Sequence, residues 1–187
     1  FASEHRIPVT ARGAGHGYVG GCVPVNGGLV VSLAKLNRIV EINKSDFVAI
    51  AQAGVITADL QRAVERLGLF YPPDPASRDE STIGGNIATN AGGPRCLKNG
   101  VTRDYVLGLE VVLADGTVVR LGSRTHKNKT GFDLARLFVG SEGMLGIVTE
   151  ATLKLIPRPP FRACLAAGFR TARDAARAIG RIFRAGF

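Results

Sequence analysis

A glycine-rich stretch near the start of the sequence has the composition of a loop that can bind phosphate. Residues 12–21 read RGAGHGYVGG and follow a short run of strand-forming residues. Gly13, Gly15 and Gly17 leave no side chain between the backbone and a ligand, so consecutive N–H groups can point at phosphate oxygens. The guanidinium of Arg12 would add charge-assisted hydrogen bonds. This first glycine loop therefore predicts a phosphate-binding site, with a glycine-rich turn of no function as the alternative.

The same loop also satisfies the GxGxxG pattern of dinucleotide-binding Rossmann units, through Gly15, Gly17 and Gly20. In a Rossmann unit the glycine turn opens a helix whose N-terminus meets the pyrophosphate. Residues 21–28 instead carry one proline and three glycines and lead into a predicted strand. Because such a stretch does not continue as a helix, a nicotinamide-binding Rossmann unit is disfavoured.

A second glycine segment, residues 81–93, makes a chance occurrence of the first less plausible. It reads STIGGNIATNAGG and is predicted here as a second loop. Two such loops can enclose a dinucleotide from both sides, with Thr82, Asn86 and Asn90 offering side-chain hydrogen bonds. Just before it, Pro72-Pro73-Asp74-Pro75 is a stiff segment that could form a wall against a flat ring system. A third glycine segment, residues 140–149, leads into a strand whose backbone could hydrogen-bond a planar heterocycle.

The charge and cysteine content limit the classes of partner. Lysine and arginine outnumber aspartate and glutamate by 24 to 15, for a formal charge of +9, which favours an anionic partner. Aromatic residues make up only 6% and the basic residues are dispersed, so nucleic acid is not the expected partner. Cys22, Cys96 and Cys164 form no CxxC pair, which predicts neither a metal site nor a disulfide framework and favours a reducing, cytoplasmic setting. No apolar run approaches the roughly 20 residues of a membrane span.

The elements that position these motifs are predicted from turns and periodicity. Two hairpins are expected, Leu109–Leu113 with Thr117–Leu121 around an Asp-Gly turn, and Arg38–Asn43 with Phe47–Ala53. Further strands are predicted at Ile7–Thr10, Leu29–Leu33, Gly146–Ile156 and Cys164–Phe169. Helices are predicted from a Thr57 cap to a closing Gly68, at Asp133–Phe138, and at Ala172–Ala185, where an arginine stripe is typical of a solvated face.

Together the motifs resemble the PCMH-type FAD-binding domain of the vanillyl-alcohol oxidase and p-cresol methylhydroxylase superfamily. Within it they are most similar to the branch of the glycolate oxidase D-subunit and D-lactate dehydrogenase. The resemblance runs almost continuously from Ile7 to Pro157. It includes Tyr71 to Pro75, Thr82 to Gly93, Gly100 to Asp104, Lys127-Asn128, Gly131 to Leu134 and Gly140 to Thr149.

The resemblance implies an α+β fold of two small subdomains, with mixed and antiparallel sheets flanked by helices and FAD between them. It implies that residues 1–157 are the FAD-binding domain without its N-terminal part, and that residues 158–187 begin a truncated substrate or cap domain. The prolines at 157, 159 and 160 agree with a boundary within Arg158 to Arg162. The implied cofactor-binding residues are Arg12, Gly13, Ala14, Gly15, His16, Gly17, Pro73, Asp74, Thr82, Gly84, Gly85, Asn86, Asn90, Ala91, Gly92, Ile147 and Thr149.

The implied chemistry is hydride transfer from the α-carbon of a D-2-hydroxy acid to flavin N5, with reoxidation by oxygen or another acceptor and with possible partner subunits. Substrate recognition and the proton-accepting histidine belong, by the resemblance, to the cap region, so no catalytic residue and no metal site are expected in this chain. The same FAD domain could serve sugar or lactone oxidation or alkyl transfer, or act in this form as an inactive FAD-binding platform.

His16 departs from the pattern of the glycolate oxidase branch, which usually has threonine at this position. Other branches of the superfamily place there the histidine that bonds covalently to the flavin C8α methyl group. Two interpretations of His16 therefore stay open, a covalent histidyl-FAD and an imidazole that hydrogen-bonds near the pyrophosphate.

Overall fold

The computed structural model describes residues 1–186 and contains a central five-stranded sheet. The strands are β1 (Val9–Arg12), β2 (Leu29–Ser32), β3 (Ile39–Asn43), β4 (Val48–Gln52), β5 (Leu69–Phe70), β6 (Val106–Val112), β7 (Val118–Gly122), β8 (Ile147–Lys154) and β9 (Ile156–Pro157). The helices are α1 (Thr57–Glu65), α2 (Ile83–Thr89), α3 (Cys96–Asn99), α4 (Leu134–Phe138) and α5 (Ala172–Arg184), with a 3₁₀ turn at Thr102–Tyr105.

The central sheet has the strand order β3-β4-β8-β6-β7, and every neighbouring pair is antiparallel. Both predicted hairpins are confirmed, as β3 with β4 and β6 with β7. In the turn between β6 and β7, Gly116 has a φ of 87°, and the N–H of Thr117 donates to Asp115 Oδ1 at 2.9 Å. The Asp-Gly pair thus supplies the local geometry expected of it.

Helices α1, α2 and α4 carry the apolar residues that cover this sheet. The stripe of α1 buries Leu60 and Val64 completely, and α2 buries Ile83 and Ile87. These side chains join Ala49, Ala51, Val111, Ala151, Leu153 and Leu155 in one core. Helix α2 contacts β8 and β4, so the second glycine segment is attached directly to the sheet.

A second, smaller sheet consists of β1 and β2, which pair in parallel. Every residue of β2 is exposed. The chain between the two strands contains the first glycine loop, and residues 21–28 form turns before entering β2. This stretch therefore lacks the helix that a Rossmann unit requires, as predicted. With an antiparallel sheet, a parallel pair and separate helices, the α+β class is also confirmed.

Three local predictions were wrong. Residues 83–89 of the second glycine segment form helix α2 and not a loop, because Thr82 caps its start and Ile83 and Ile87 pack into the core. Residues 164–169 are exposed and have no strand partner, so they do not form the predicted strand. Thr57 does not cap α1, since Ile56 holds the N-cap position and the Thr57 hydroxyl is buried against Ser81.

Two short backbone interactions hold the chain near residue 157, where the sequence predicts that the first domain ends. Strand β9 pairs with β5, and the N–H of Arg158 donates to the carbonyl of Gly68 at 3.0 Å. The arginine-bearing helix at the end of the chain is confirmed as α5. Among the helices described for residues 1–186, none is long and apolar enough to span a bilayer.

Candidate functional site

One cleft of about 570 Å³ lies where the three glycine segments meet. Its volume falls within the ~300–1,000 Å³ typical of small-molecule sites. The first glycine loop forms one side, and residues 75–92 and 138–148 form the others. Among its lining residues are Gly13 to Val19, Cys22, Leu33, Pro75, Ala76, Ser77, Ser81, Thr82, Gly84, Gly85, Asn86, Ala88, Thr89, Ala91, Gly92, Phe138, Ser141, Glu142, Gly143, Gly146, Ile147 and Val148.

The glycines of the first loop have different local surroundings. A Cβ added to Gly13 would lie 2.6 Å from Thr82 Oγ1, so at Gly13 the loop touches the second glycine segment. Gly15 has a φ of +84°, which side chains disfavour. A Cβ added to Gly17 would meet no atom within 4 Å. Gly17 therefore leaves its backbone open to a ligand, while Gly13 and Gly15 are needed by the fold of the loop.

Arg12 lies at the base of this loop and is exposed. A Cβ added to Gly15 would lie 3.4 Å from its Nη2 atom, so the guanidinium folds back beside Gly15. It thereby places a permanent positive charge next to the loop backbone. That arrangement suits an anionic group bound against the loop.

Helix α2 presents the second glycine segment to the cleft. Thr82 Oγ1 accepts the N–H of Gly85 at 3.2 Å, and the N–H of Gly84 donates to the carbonyl of Ala53 at 2.7 Å. The first amides of the helix are thus already bonded to protein. Gly84 is required because a Cβ there would lie 2.7 Å from that of Ala53. In this segment the small residues let the helix approach the sheet and keep the cleft open above it.

Asn86 belongs to a buried polar network beneath the cleft floor. Its Nδ2 donates to Thr57 Oγ1 at 2.7 Å, and the Thr57 hydroxyl donates to the carbonyl of Ser81 at 3.0 Å. Asn86 is 3% exposed and Thr57 is fully buried. Because its amide is directed into the protein, the polar side chain of Asn86 stabilises the floor of the site.

Asn90 also uses its side chain within the protein. It ends α2 in a left-handed conformation with a φ of 49°, and its Oδ1 accepts the N–H of Arg103 at 2.9 Å. The guanidinium of Arg103 in turn donates to the carbonyl of Val139 at 3.1 Å. Asn90 and Arg103 together connect the end of the second glycine segment to the start of the third.

The proline-rich wall is held from behind by buried polar contacts. Gln61 Nε2 donates to the carbonyl of Pro73 at 2.8 Å. The Asp74 carboxylate, 11% exposed, pairs with Arg78 at 3.3 Å and Arg95 at 3.2 Å. Its charge is therefore used in holding the wall, and the following residues, 75–77, line the cleft.

The third glycine segment lines the cleft through the turn at residues 141–143 and through the start of strand β8. Glu142 has a φ of 56° and its N–H donates to the carbonyl of Ala88 at 2.9 Å, which fixes the turn to α2. Ile147 lines the cleft. The Thr149 hydroxyl donates instead to the Glu110 carboxylate at 2.8 Å. Hydrogen bonds from Thr149 and then Arg120 lower the pKa of Glu110.

The structure brings together twelve of the seventeen residues predicted as the cofactor site, and leaves five outside the cleft lining. The five are Arg12, Pro73, Asp74, Asn90 and Thr149. The cleft lining also contains residues that the predicted set omitted, among them Pro75, Ala76, Ser77, Ser141, Glu142 and Gly143. Pro75 and residues 141–143 belong to motifs that were recognised, and Ala76 and Ser77 directly follow one, so the sequence signal was the position of each motif and not the residue types themselves.

His16 lies at the mouth of the cleft, where its Nε2 is 2.8 Å from the carboxylate of Glu80. The contact is an ion pair when the imidazole is protonated and a hydrogen bond when it is neutral. Cys22 lies in the cleft lining and is a free thiol, as is Cys96. Within residues 1–186, no three His, Cys, Asp or Glu side chains are grouped as a metal site.

These features fit FAD, whose flat apolar ring and diphosphate make different demands on a site. Leu33, Phe138 and Ile147 give the cleft apolar surface, and the backbone of the first loop offers polar groups. A family model described as "FAD binding domain" matches residues 1–122. The chain belongs to this FAD-binding domain family. FAD is accordingly its cofactor.

The sequence is similar to those of curated proteins named as hydroxy-acid enzymes. It is 54% identical over 185 residues to the glycolate oxidase subunit GlcD of Bacillus subtilis, covering 99% of this chain and 39% of that protein. It is 45% identical to a D-lactate dehydrogenase of Archaeoglobus fulgidus, covering 98% of this chain and 41% of that protein. The chain thus spans about two fifths of the length of these relatives.

The fold of this chain is similar to part of a solved structure. An alkyldihydroxyacetonephosphate synthase matches with a TM-score of 0.81 and 26% sequence identity. The match covers 98% of this chain and 34% of that one. The resemblance to a PCMH-type FAD-binding domain is therefore confirmed for the fold and for the family.

Proposed function

We propose that this chain holds FAD in the cleft between its three glycine segments. We further propose that it serves in oxidation of a D-2-hydroxy acid of the glycolate or D-lactate type. The observation that carries the proposal is the convergence of three glycine segments, distant in sequence, on one cleft. The relatives named glycolate oxidase subunit and D-lactate dehydrogenase support the substrate class.

In the proposed site, different walls of the cleft bind different parts of the cofactor. The first glycine loop receives the diphosphate, with Gly17 open to close approach and Arg12 supplying positive charge. Helix α2 and Ile147 lie along the rest of the cofactor. The proposed binding set is Arg12, Gly13, Ala14, Gly15, His16, Gly17, Pro73, Asp74, Thr82, Gly84, Gly85, Asn86, Asn90, Ala91, Gly92, Ile147 and Thr149. Four residues of this set support the walls of the cleft, because their polar side-chain atoms bond protein groups. They are Asp74, Asn86, Asn90 and Thr149.

The chemistry divides between the cofactor and the protein. When bound, FAD supplies the acceptor, at N5, for the hydride that leaves the α-carbon of the hydroxy acid. The residues of this chain orient the ring system and keep water from its apolar side, through Leu33, Phe138 and Ile147. No residue of this chain is proposed as the base that accepts the hydroxyl proton.

We propose residues 1–157 as the FAD-binding domain and residues 158–187 as the start of a substrate domain. The prolines at 157, 159 and 160 support a boundary here, and two contacts cross it. Arg162 donates to the Glu65 carboxylate at 2.8 Å, and its guanidinium lies 4.8 Å from the centre of the Phe70 ring. These contacts secure the start of the second region to the first. Three free thiols, Cys22, Cys96 and Cys164, support a reducing compartment, and we propose the cytoplasm.

Alkyl transfer is a second candidate, favoured by the structural match to an alkyldihydroxyacetonephosphate synthase. Its 26% identity is well below the 54% shared with the glycolate oxidase subunit. The hydroxy-acid assignment is therefore the stronger of the two. Sugar or lactone oxidation could use the same FAD domain, but the relatives described above are named as glycolate and D-lactate enzymes.

An FAD titration combined with a substrate screen tests the proposal. Flavin fluorescence should be quenched as FAD enters the cleft, with saturation at one FAD per chain. A protein that contains this chain should then bleach its flavin absorbance with D-lactate or glycolate and not with L-lactate. Binding without bleaching by any D-2-hydroxy acid would show an inactive FAD platform, and absence of binding would contradict the proposed site.

The state of His16 is tested on the same FAD-loaded protein. Acid precipitation releases a flavin that is held without a covalent bond, whereas a histidyl-FAD stays with the pellet. We propose release, because Nε2, one of the two ring nitrogens that could form such a bond, is engaged by Glu80 in the structure. Yellow colour retained by the washed pellet would contradict this.

A further inference from the structure

The contact between His16 and Glu80 joins two walls of the cleft at its mouth. Nε2 of His16 lies 2.8 Å from Oε2 of Glu80, with side-chain exposures of 40% and 68%. His16 belongs to the first glycine loop, whereas Glu80 precedes the second glycine segment. The two residues are far apart in sequence, so only the fold brings them together.

The two partners differ in how firmly the protein holds them. Glu80 lies in a turn whose backbone is tied inward, because its N–H donates to the carbonyl of Ser77 at 2.9 Å and the carbonyl of Arg78 accepts the N–H of Ala58 at 3.0 Å. The loop beyond His16 is exposed, with Tyr18 at 104% and Val19 at 73%. The backbone that carries Glu80 is thus anchored to the protein, whereas the loop beyond His16 is exposed.

The first loop meets the second glycine segment at another point, further inside the cleft. There the backbone of Gly13 is so close to Thr82 that an added Cβ would lie 2.6 Å from its hydroxyl oxygen. Between these two contacts lie Ala14 and Gly15, and both line the cleft. The inner contact and the His16–Glu80 contact therefore bracket the part of the loop that faces the cofactor.

We propose that Glu80 is a positioning residue that holds His16 and keeps the first glycine loop closed over the bound cofactor. The inference rests on the proposed function, because it requires FAD to occupy this cleft. With the contact intact, the loop segment between Gly13 and His16 is held at both ends. Without it, the outer end opens and the cofactor leaves faster.

The size of the effect follows from the exposure of the pair. Exposed ion pairs contribute little, which corresponds to at most about a fivefold change in a rate or an equilibrium constant. Glu80→Gln should therefore raise the FAD dissociation rate about threefold to fivefold. His16→Ala removes the partner of Glu80 and should raise the rate at least as much. Adding Glu80→Gln to His16→Ala should raise it no further, because the contact is already absent.

Asp79→Asn is the matched control. Asp79 is the neighbouring carboxylate, and it faces Arg78 at 3.8 Å and Arg62 at 4.0 Å instead of His16. The substitution removes the same charge one residue away, so a general electrostatic effect on FAD would appear in both variants. A specific effect of the contact appears only in Glu80→Gln.

The experiment loads the chain with FAD, dilutes it far enough that released FAD does not rebind, and follows recovery of flavin fluorescence. Thermal unfolding of each variant, measured by circular dichroism, checks that it is folded. A dissociation rate of Glu80→Gln equal to that of Asp79→Asn would overturn the proposal. Rates that multiply in the double variant would also overturn it, because Glu80 would then act independently of His16.

Two further results separate this inference from the proposed function. A wild-type chain that binds no FAD contradicts the proposed site itself, whatever the variants do. A wild-type chain whose FAD stays with the acid-precipitated pellet contradicts the positioning role, because a covalent bond then holds the cofactor.

Discussion

A Cβ added to Gly17 in the first glycine loop would meet no atom within 4 Å, whereas one added to Gly93 in the second glycine segment would lie 1.8 Å from the carbonyl oxygen of Asp74. The two segments border the same cleft and have similar compositions. In the second, glycine is required so that α2 and the residues after it can approach the sheet and the proline-rich wall. In the first, Gly17 leaves room that the protein itself does not fill.

The difference shows that glycine-rich sequence alone does not identify which backbone contacts a ligand. Substitutions in the second glycine segment should act on stability, and substitutions at the open position of the first loop should act on FAD affinity. Four variants test this difference.

The largest effect is expected from Gly93→Ala. The new methyl group would overlap the Asp74 carbonyl, and the backbone on either side must shift to accommodate it. Because overpacking against backbone is among the costlier core changes, we expect the free energy of unfolding to fall by about 3 kcal/mol or more. Urea denaturation followed by circular dichroism measures it. A loss below about 0.5 kcal/mol would show that the wall and the segment are not in close contact.

A smaller loss is expected from Asn86→Ala. The change removes the donor to Thr57 Oγ1 in a buried network, which should lower the free energy of unfolding by about 2 kcal/mol. Thr89→Ala, an exposed threonine of the same helix, is the stability control and should change it by less than about 0.5 kcal/mol. If Asn86→Ala instead weakens FAD binding at unchanged stability, then its amide contacts the cofactor and the comparison fails.

Gly17→Ala should leave stability unchanged and weaken FAD binding about tenfold, or about 1.4 kcal/mol. The open space at Gly17 accepts a methyl group in the free protein, but that group would stand between the backbone and the diphosphate. The dissociation constant comes from fluorescence titration and the stability from urea denaturation. Unchanged affinity would move the diphosphate away from this part of the loop.

The smallest effect concerns Tyr71, which is fully buried on the chain leading to the proline-rich wall. Its hydroxyl has no hydrogen-bond partner, and burial raises its pKa well above the usual range. Tyr71→Phe should therefore increase the free energy of unfolding by up to about 1 kcal/mol.

Tyr105→Phe is the matched control for this prediction. The two rings meet edge to face, but the Tyr105 hydroxyl donates to the carbonyl of Asn99 at 2.6 Å. Tyr105→Phe should thus decrease stability by about 1 kcal/mol. Equal effects of the same sign in the two variants would show that the Tyr71 hydroxyl is satisfied after all. Thermal denaturation at one pH compares them directly.

Features that depend on neighbouring residues were readable from the sequence. The Asp115-Gly116 turn, the two hairpins and the absence of a helix after the first glycine loop were predicted correctly because the turn and breaker residues act over a few positions. Helix α2 was missed because its two glycines lower the intrinsic helix propensity, and its stability comes from Ile83 and Ile87 in the core. Thr82 before an i, i+4 apolar pair was the available signal.

The family, the α+β class and the stretches that meet at the cleft could be predicted from the sequence, because they depend on local motifs. Which atoms face the cleft depends on tertiary contacts. Asn86 points its amide to Thr57, and the Thr149 hydroxyl goes to Glu110 on the neighbouring strand. Whether a polar group is free for a ligand depends on the partners that the fold brings to it, and those partners come from distant parts of the chain.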